Sequence, residues 1–97
     1  MLQTACDKMS LPSVEIRYCT KCKFLLRASW LAQELLTSFE KELREVILVP
    51  SSGGILEIRI DDHLLFSNKK ENRFPEVREI KLLIRDLIAP DRQIGHR

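Results

Sequence analysis

Cys19 and Cys22 stand two residues apart, with Thr20 and Lys21 between them, and Lys23 follows directly. Thiols at this spacing can close a disulfide, supply half of a metal site, or pack as small hydrophobes. The reactive form is the thiolate, and a free cysteine ionises near about pH 8.5, so most of it is protonated at neutral pH. A helix start nearby would change that, because its unpaired N–H groups and positive dipole end favour an anion. Lys21, Lys23 and Arg27 add positive charge. Such surroundings bring a cysteine down to about 3.5–7.5, and the second thiol can then resolve a mixed disulfide formed by the first.

The competing chemistry is weaker. A structural zinc site takes four ligands, and the sequence has no second CxxC and no HxxxH. Cys6, His63 and His96 are scattered over the N-terminal segment, a hairpin and the C-terminal segment. A buried, inert pair is disfavoured by polar Thr20, Lys21 and Lys23. The expected site is therefore Cys19 and Cys22 in a thiol–disulfide role, without cofactor or metal.

The elements that must position this pair follow from periodicity. Val14, Ile16 and Tyr18 alternate with Glu15 and Arg17, as in a strand with one buried face. From Lys23 to about Glu40 the spacing turns helical: Phe24, Ala28, Leu31, Leu35 and Phe39 form a stripe, flanked by Leu25, Ala32 and Leu36. The pair thus falls at a strand-to-helix junction. Glu45–Val49 is a nearly apolar run typical of an interior strand, and residues 50–54 form a loop ending in Gly53-Gly54. Leu56, Ile58 and Ile60 alternate again, Asp61-Asp62 turns the chain, and His63–Ser67 completes a hairpin. Residues 68–73 form a polar, lysine-bearing loop. Pro75 suits the first position of a second helix, whose apolar face is Val77, Ile80, Ile84 and Leu87, with Pro90 as its stop.

The order strand, helix, strand, strand, strand, helix implies a parallel pair joined by a crossover, plus an antiparallel hairpin. Two strands polar on one face place both helices on the other. The expected fold is a two-layer α/β (α+β) domain, β-α-β-β-β-α, with both helices on one face of a mixed four-stranded sheet. Residues 13–90 would form the domain, residues 1–12 a loose leader and residues 91–97 a tail.

Composition bounds the setting. At 97 residues, with 44% hydrophobic and 31% charged residues, the chain is of single-domain size and globular in type. A net charge of +2 does not by itself imply nucleic acid, and there is neither a phosphate-binding glycine loop nor a set of stacking aromatics. Three cysteines, an odd number, differ from the even framework of a secreted disulfide scaffold and suggest a reducing compartment. No signal-peptide pattern and no apolar run of spanning length appears, so the cytoplasm is expected, with no membrane partner.

With these motifs placed, VEIRYCTKC, the Gly-Gly loop before LEIRIDDHLLFSNKK, and the RFPEVREI helix entry together resemble the selenoprotein W-like Rdx family, especially its bacterial branch. The resemblance runs from about Val14 to His96. It implies a thioredoxin-like fold with a redox-active CxxC in an exposed loop. Animal relatives carry selenocysteine at the position of Cys22, which would make Cys22 the more reactive centre; thioredoxin geometry gives the attack to Cys19. The chain departs from the family at Asp62, where the hairpin turn usually has Gly. Pro50 is the one proline in the connection where thioredoxins place a cis-proline.

The resulting expectation is a thiol–disulfide redox protein exchanging with glutathione or protein thiols. The alternative is a redox-sensing or metal-binding interaction module without turnover. Trp30 and Leu26 share a face that would pack on the second helix or else form an exposed patch for a protein partner. Lys69, Lys70 and Arg73 read as solvated surface able to attract an anionic thiol. Arg78, Lys81 and Arg85 fall on the polar side of the last helix and are assigned no function.

Overall fold

The computed structural model describes residues 10–89. The expected leader lies largely outside them, as do the 91–97 tail, Cys6, Pro90 and His96. Strand β1 spans Ser13–Cys19, helix α1 Leu25–Ser38, and strand β2 Glu45–Ser51. Strands β3, Leu56–Ile60, and β4, His63–Ser67, form the hairpin. A one-turn helix α2, Asn68–Glu71, and a longer α3, Val77–Ile88, follow.

The sheet order is β2-β1-β3-β4, with β1 and β2 parallel and the other pairs antiparallel. Val14, Ile16 and Tyr18 of β1 and Leu56, Ile58 and Ile60 of β3 are buried toward α1 and α3. They share one core with Ala28, Leu31, Leu35, Phe39, Ile80 and Ile84. α1 packs on β1 and β2, α3 packs on β4, and the two helices touch each other. The opposite face is wet. There Glu15 pairs with Arg17, and Glu57 with Arg59 at 3.6 Å, in a register that also sets Glu15 beside Arg59 and Arg17 beside Glu57. These are the charges that the alternation assigned to that face. Together the elements form the expected mixed, two-layer sheet with helices on one side.

Several details differ from the sequence reading. α1 begins at Leu25, not Lys23, because Lys23 adopts a left-handed φ of 62° and breaks the helical path. Leu25 and Leu36 beside the stripe are exposed. Leu87 is 53% exposed, and Ile88 takes its place against the core, since 77, 80, 84 and 88 lie closer to one helical face. Pro75 precedes the helix instead of opening it. Glu76 is the cap, in a reciprocal capping box with Glu79. The polar loop after β4 contains α2, capped by Ser67 accepting from the Lys70 N–H.

Lys81 is buried and bridges to Glu34 of α1 at 2.9 Å, so it ties the helices together and is not a solvated charge. In the hairpin turn Asp61, not Asp62, takes the left-handed conformation, with φ 51°. Every peptide bond among the described residues is trans, and Pro50 lies inside edge strand β2 opposite Tyr18.

Candidate redox site

β1 delivers Cys19 as its last residue, and the chain then makes a tight turn before α1. Lys23 N–H donates to the Thr20 carbonyl at 3.1 Å and Phe24 N–H to the Cys19 carbonyl at 3.2 Å. Lys21 and Cys22 project from this turn. Cys22 therefore stands at the strand-to-helix junction, as expected, but two residues further ahead of the helix than a start at Lys23 would put it. The turn is anchored from below: Phe24 meets Phe74 edge-on at 5.1 Å, and the Arg27 guanidinium lies 4.0 Å above the Phe74 ring. This gives the Phe-Pro-Glu segment a role, since its aromatic ring supports the exit from the thiol turn.

The 51–55 loop closes the other side. Cys19 N–H donates to the Ile55 carbonyl at 2.9 Å, and Thr20 N–H to the Ser51 carbonyl at 3.1 Å. Gly53 and Gly54 both have left-handed φ, 81° and 72°. At Gly54 the conformation is matched by crowding. A Cβ there would sit 3.2 Å from Lys69 Nζ and 3.9 Å from Cys22 Sγ. The glycine lets the backbone approach the thiols.

Both sequence-predicted cysteines are thus brought together, in unequal environments. Cys19 is only 2% exposed, whereas Cys22 is open to solvent. The Cys19 thiol is held below the ordinary cysteine value, chiefly by the hydrogen bond from the Cys22 thiol. Burial opposes this, while the backbone N–H groups of Gly54, Cys22 and Lys21 reinforce it. Cys22 is pushed up, first because its proton serves Cys19, then by burial and by the Cys19 charge; Lys69 and the Gly54 amide pull it back. The hydrogen bond from Cys22 and the surrounding amides thus favour the anion on Cys19 over the anion on Cys22.

Lys21 contributes its backbone N–H to this arrangement. The ammonium that acts on Cys22 belongs to Lys69, at the start of α2. The sequence flagged Lys69 only as part of a basic loop, and nothing local signals its approach to a thiol 47 positions earlier. His63 is at the far end of the sheet, paired with Ile60, roughly 17 Å of strand away from Cys19. It cannot join the cysteines around a metal. Among the described residues no cluster of three or more candidate metal ligands occurs.

The Rdx family profile matches residues 13–86, which includes the thiol turn, the Gly-Gly loop and α2. The chain belongs to the Rdx family. Its structure is similar to that of a selenoprotein W-related protein from Vibrio cholerae, at 40% identity and a TM-score of 0.79, covering 81% of this chain and 99% of the other. It is also similar to a protein from Bordetella parapertussis, at 42% identity and a TM-score of 0.78, covering 80% and 99%. No curated protein sequence matches it. As an Rdx member it has the thioredoxin-like fold of a redox-associated family.

Beside the thiols lies a groove of about 480 Å³ lined by Tyr18, Thr20, Lys23, Leu25, Leu26 and Ser29. Leu26 is 80% exposed, and Trp30, at 54%, is exposed one turn further along α1. This face does not pack on α3. On the other flank, Asn68, Lys69, Asn72, Arg73 and Phe74 line a polar recess of about 270 Å³. No helix among the described residues is long and apolar enough to cross a membrane.

Proposed function

We propose that the protein is a thiol–disulfide redox protein that cycles Cys19 and Cys22 between dithiol and disulfide, in the cytoplasm. The observation that supports this is the pairing of a buried Cys19 thiol with a hydrogen-bonded, exposed Cys22 thiol beside Gly54. In this reading the accessible thiol, Cys22, takes the first step, at the position where animal relatives carry selenocysteine. The proton moves to Cys19, and the Cys22 thiolate attacks one sulfur of a substrate disulfide. The substrate S–S bond breaks, one thiolate leaves and takes a proton from solvent, and a Cys22 mixed disulfide remains.

Cys19 then loses its proton, which its amide donors favour, and attacks the Cys22 sulfur. The second substrate thiolate departs and the Cys19–Cys22 bond forms. The substrate gains two electrons and the protein loses two. Two equivalents of glutathione, or a protein dithiol, reverse the cycle. The exposed Leu25 and Leu26 in the groove next to the thiol turn, with Lys23 lining it and Trp30 exposed further along α1, favour a protein thiol or disulfide as the partner over glutathione alone.

Titrating the reduced protein with oxidised glutathione and mapping the peptides tests this. The expected product is a Cys19–Cys22 bridge that reduced glutathione reopens, with a potential of about −220 to −320 mV and no bound zinc. A dominant bridge to Cys6, or one equivalent of tightly held zinc, would refute the redox cycle in favour of a metal-binding module.

A further inference from the structure

Asn68, the first residue of α2, spends its carboxamide on the loop that faces the thiols. Its Oδ1 accepts from the Leu56 N–H at 2.8 Å, and its Nδ2 donates to the Gly54 carbonyl at 2.9 Å. Those two partners bracket Ile55, whose carbonyl accepts from the Cys19 N–H. The clamp therefore holds the short segment that carries the Gly54 amide. The ammonium of the next residue, Lys69, and Cys22 Sγ both lie against the same glycine, near the position a Cβ would take. The Ser67 hydroxyl and a left-handed Asn72, φ 59°, fix the two ends of α2.

We infer that Asn68 is a positioning residue of the thiol pair: by pinning residues 54–56 to α2, it fixes the Gly54 N–H and the Lys69 ammonium over Cys19 and Cys22. Its two bonds are to backbone, so its effect on the sulfurs is transmitted through Gly54 and Lys69. Consecutive glycines are otherwise the most mobile backbone available, and Gly53 has nothing near its missing side chain to restrain it. An amide donor stabilises a forming thiolate best when no reorganisation is needed at that moment. The clamp supplies this preorganisation at the junction of α2 and the 51–55 loop.

The role rests on Cys19 and Cys22 being the reacting pair, and its test needs no turnover. The rate of iodoacetamide alkylation of the reduced pair is measured against pH for wild type, Asn68→Ala and Lys70→Ala. Asn68→Ala should move the profile to higher pH and slow alkylation near pH 7 by about three- to tenfold, the equivalent of half to one pH unit. Lys70→Ala, on the same short helix, should leave it in place. A folded Asn68→Ala protein with the wild-type profile would show that Asn68 only stabilises the fold, and would overturn the inference.

If Asn68→Ala does not fold, the wild-type protein carries the test. The Gly54 amide proton and the Asn68 carboxamide protons should shift with the thiol titration in nitrogen-resolved NMR spectra, and resonances that stay fixed would overturn it. A protein whose profile responds to Asn68 but never forms the Cys19–Cys22 bridge would refute the redox cycle and keep this role. The reverse pattern would do the opposite.

Discussion

The two ends of the sheet solve the same backbone problem with different residues. At the end away from the thiols, the β3–β4 turn places Asp61 in the left-handed region. There Asp61 Oδ1 accepts from the Ser13 N–H at 3.1 Å, and the Asp61 N–H donates to the Ser13 carbonyl at 2.8 Å. The side chain ties the turn to the start of β1. At the thiol end, Gly53 and Gly54 take the same region, and at Gly54 the site uses the space a side chain would fill. An acidic residue can tolerate the left-handed conformation when its carboxylate is held by a neighbouring strand, but only a glycine admits a thiol and an ammonium against the backbone. One end is built for closure, the other for close approach.

Both ends rest on one core, and the largest expected effect tests that. Leu35 is fully buried beneath the sheet. Leu35→Ala should cost about 2–5 kcal/mol, a large share of the stability of so small a domain. Urea melts followed by Trp30 fluorescence near the thiol end and by the His63 resonance at the other should shift together. Arg59→Ala, on the wet face, should cost about half a kcal/mol or less. Melts that separate at the two ends would mean that the ends are independent units, and comparable losses in the two variants would mean that the buried face is misassigned.

A smaller effect contrasts the turns directly. Gly54→Ala forces a Cβ into the left-handed region and against Lys69, and should cost about 1–2 kcal/mol. Asp61→Ala loses its Ser13 bond in the same region and should cost a similar amount. Their thiol chemistry should differ. Gly54→Ala displaces Lys69 and alters the pH profile of alkylation, whereas Asp61→Ala leaves it unchanged. If both variants moved the profile, the division between closure and approach would fail.

How much of this was legible depended on the range of the signal. Val14, Ile16 and Tyr18, and Leu56, Ile58 and Ile60, announced their faces because alternation is written within five residues. Cys19 and Cys22 were legible as a pair by spacing alone. The turn that carries them was not, because no proline or glycine marks Lys23, and the α1 stripe can be extended back through Phe24 without a break. Lys81 read as a surface charge because its partner, Glu34, lies in another helix 47 residues away. Asn68 reaches the Gly54 loop, and Lys69 the thiols, only because the β3–β4 hairpin returns the chain to the Cys19 end. The Gly-Gly pair and the polar, lysine-bearing segment were both visible; that they meet is a property of the fold. Trp30 and Leu26 share a helical face, but the sequence does not show that α3 passes them by.

The smallest expected effect separates the two lysines nearest the chemistry. Lys69 acts on Cys22 through its charge, while Lys21 offers its backbone N–H, which any residue but proline retains. Lys69→Met should therefore raise the Cys22 thiol further above its ordinary value and lower its thiolate fraction near pH 7. Below the thiol's pKa the alkylation rate follows that fraction, so the rate should fall by about two- to fivefold, a third to two-thirds of a pH unit. Lys21→Met should change it by much less. Lys69 is exposed, so the difference between wild type and Lys69→Met should shrink in about 1 M salt, where charges are screened beyond roughly 3 Å. The sign is fixed by the chemistry: removing a cation beside a thiolate can only disfavour it, so the profile must move toward higher pH. Equal slowing by both lysine variants would place Lys21's charge in the site and return the electrostatics to the thiol turn. A Lys69→Met profile unchanged at low salt would leave the Gly54 amide as the donor that sets this end of the sheet apart.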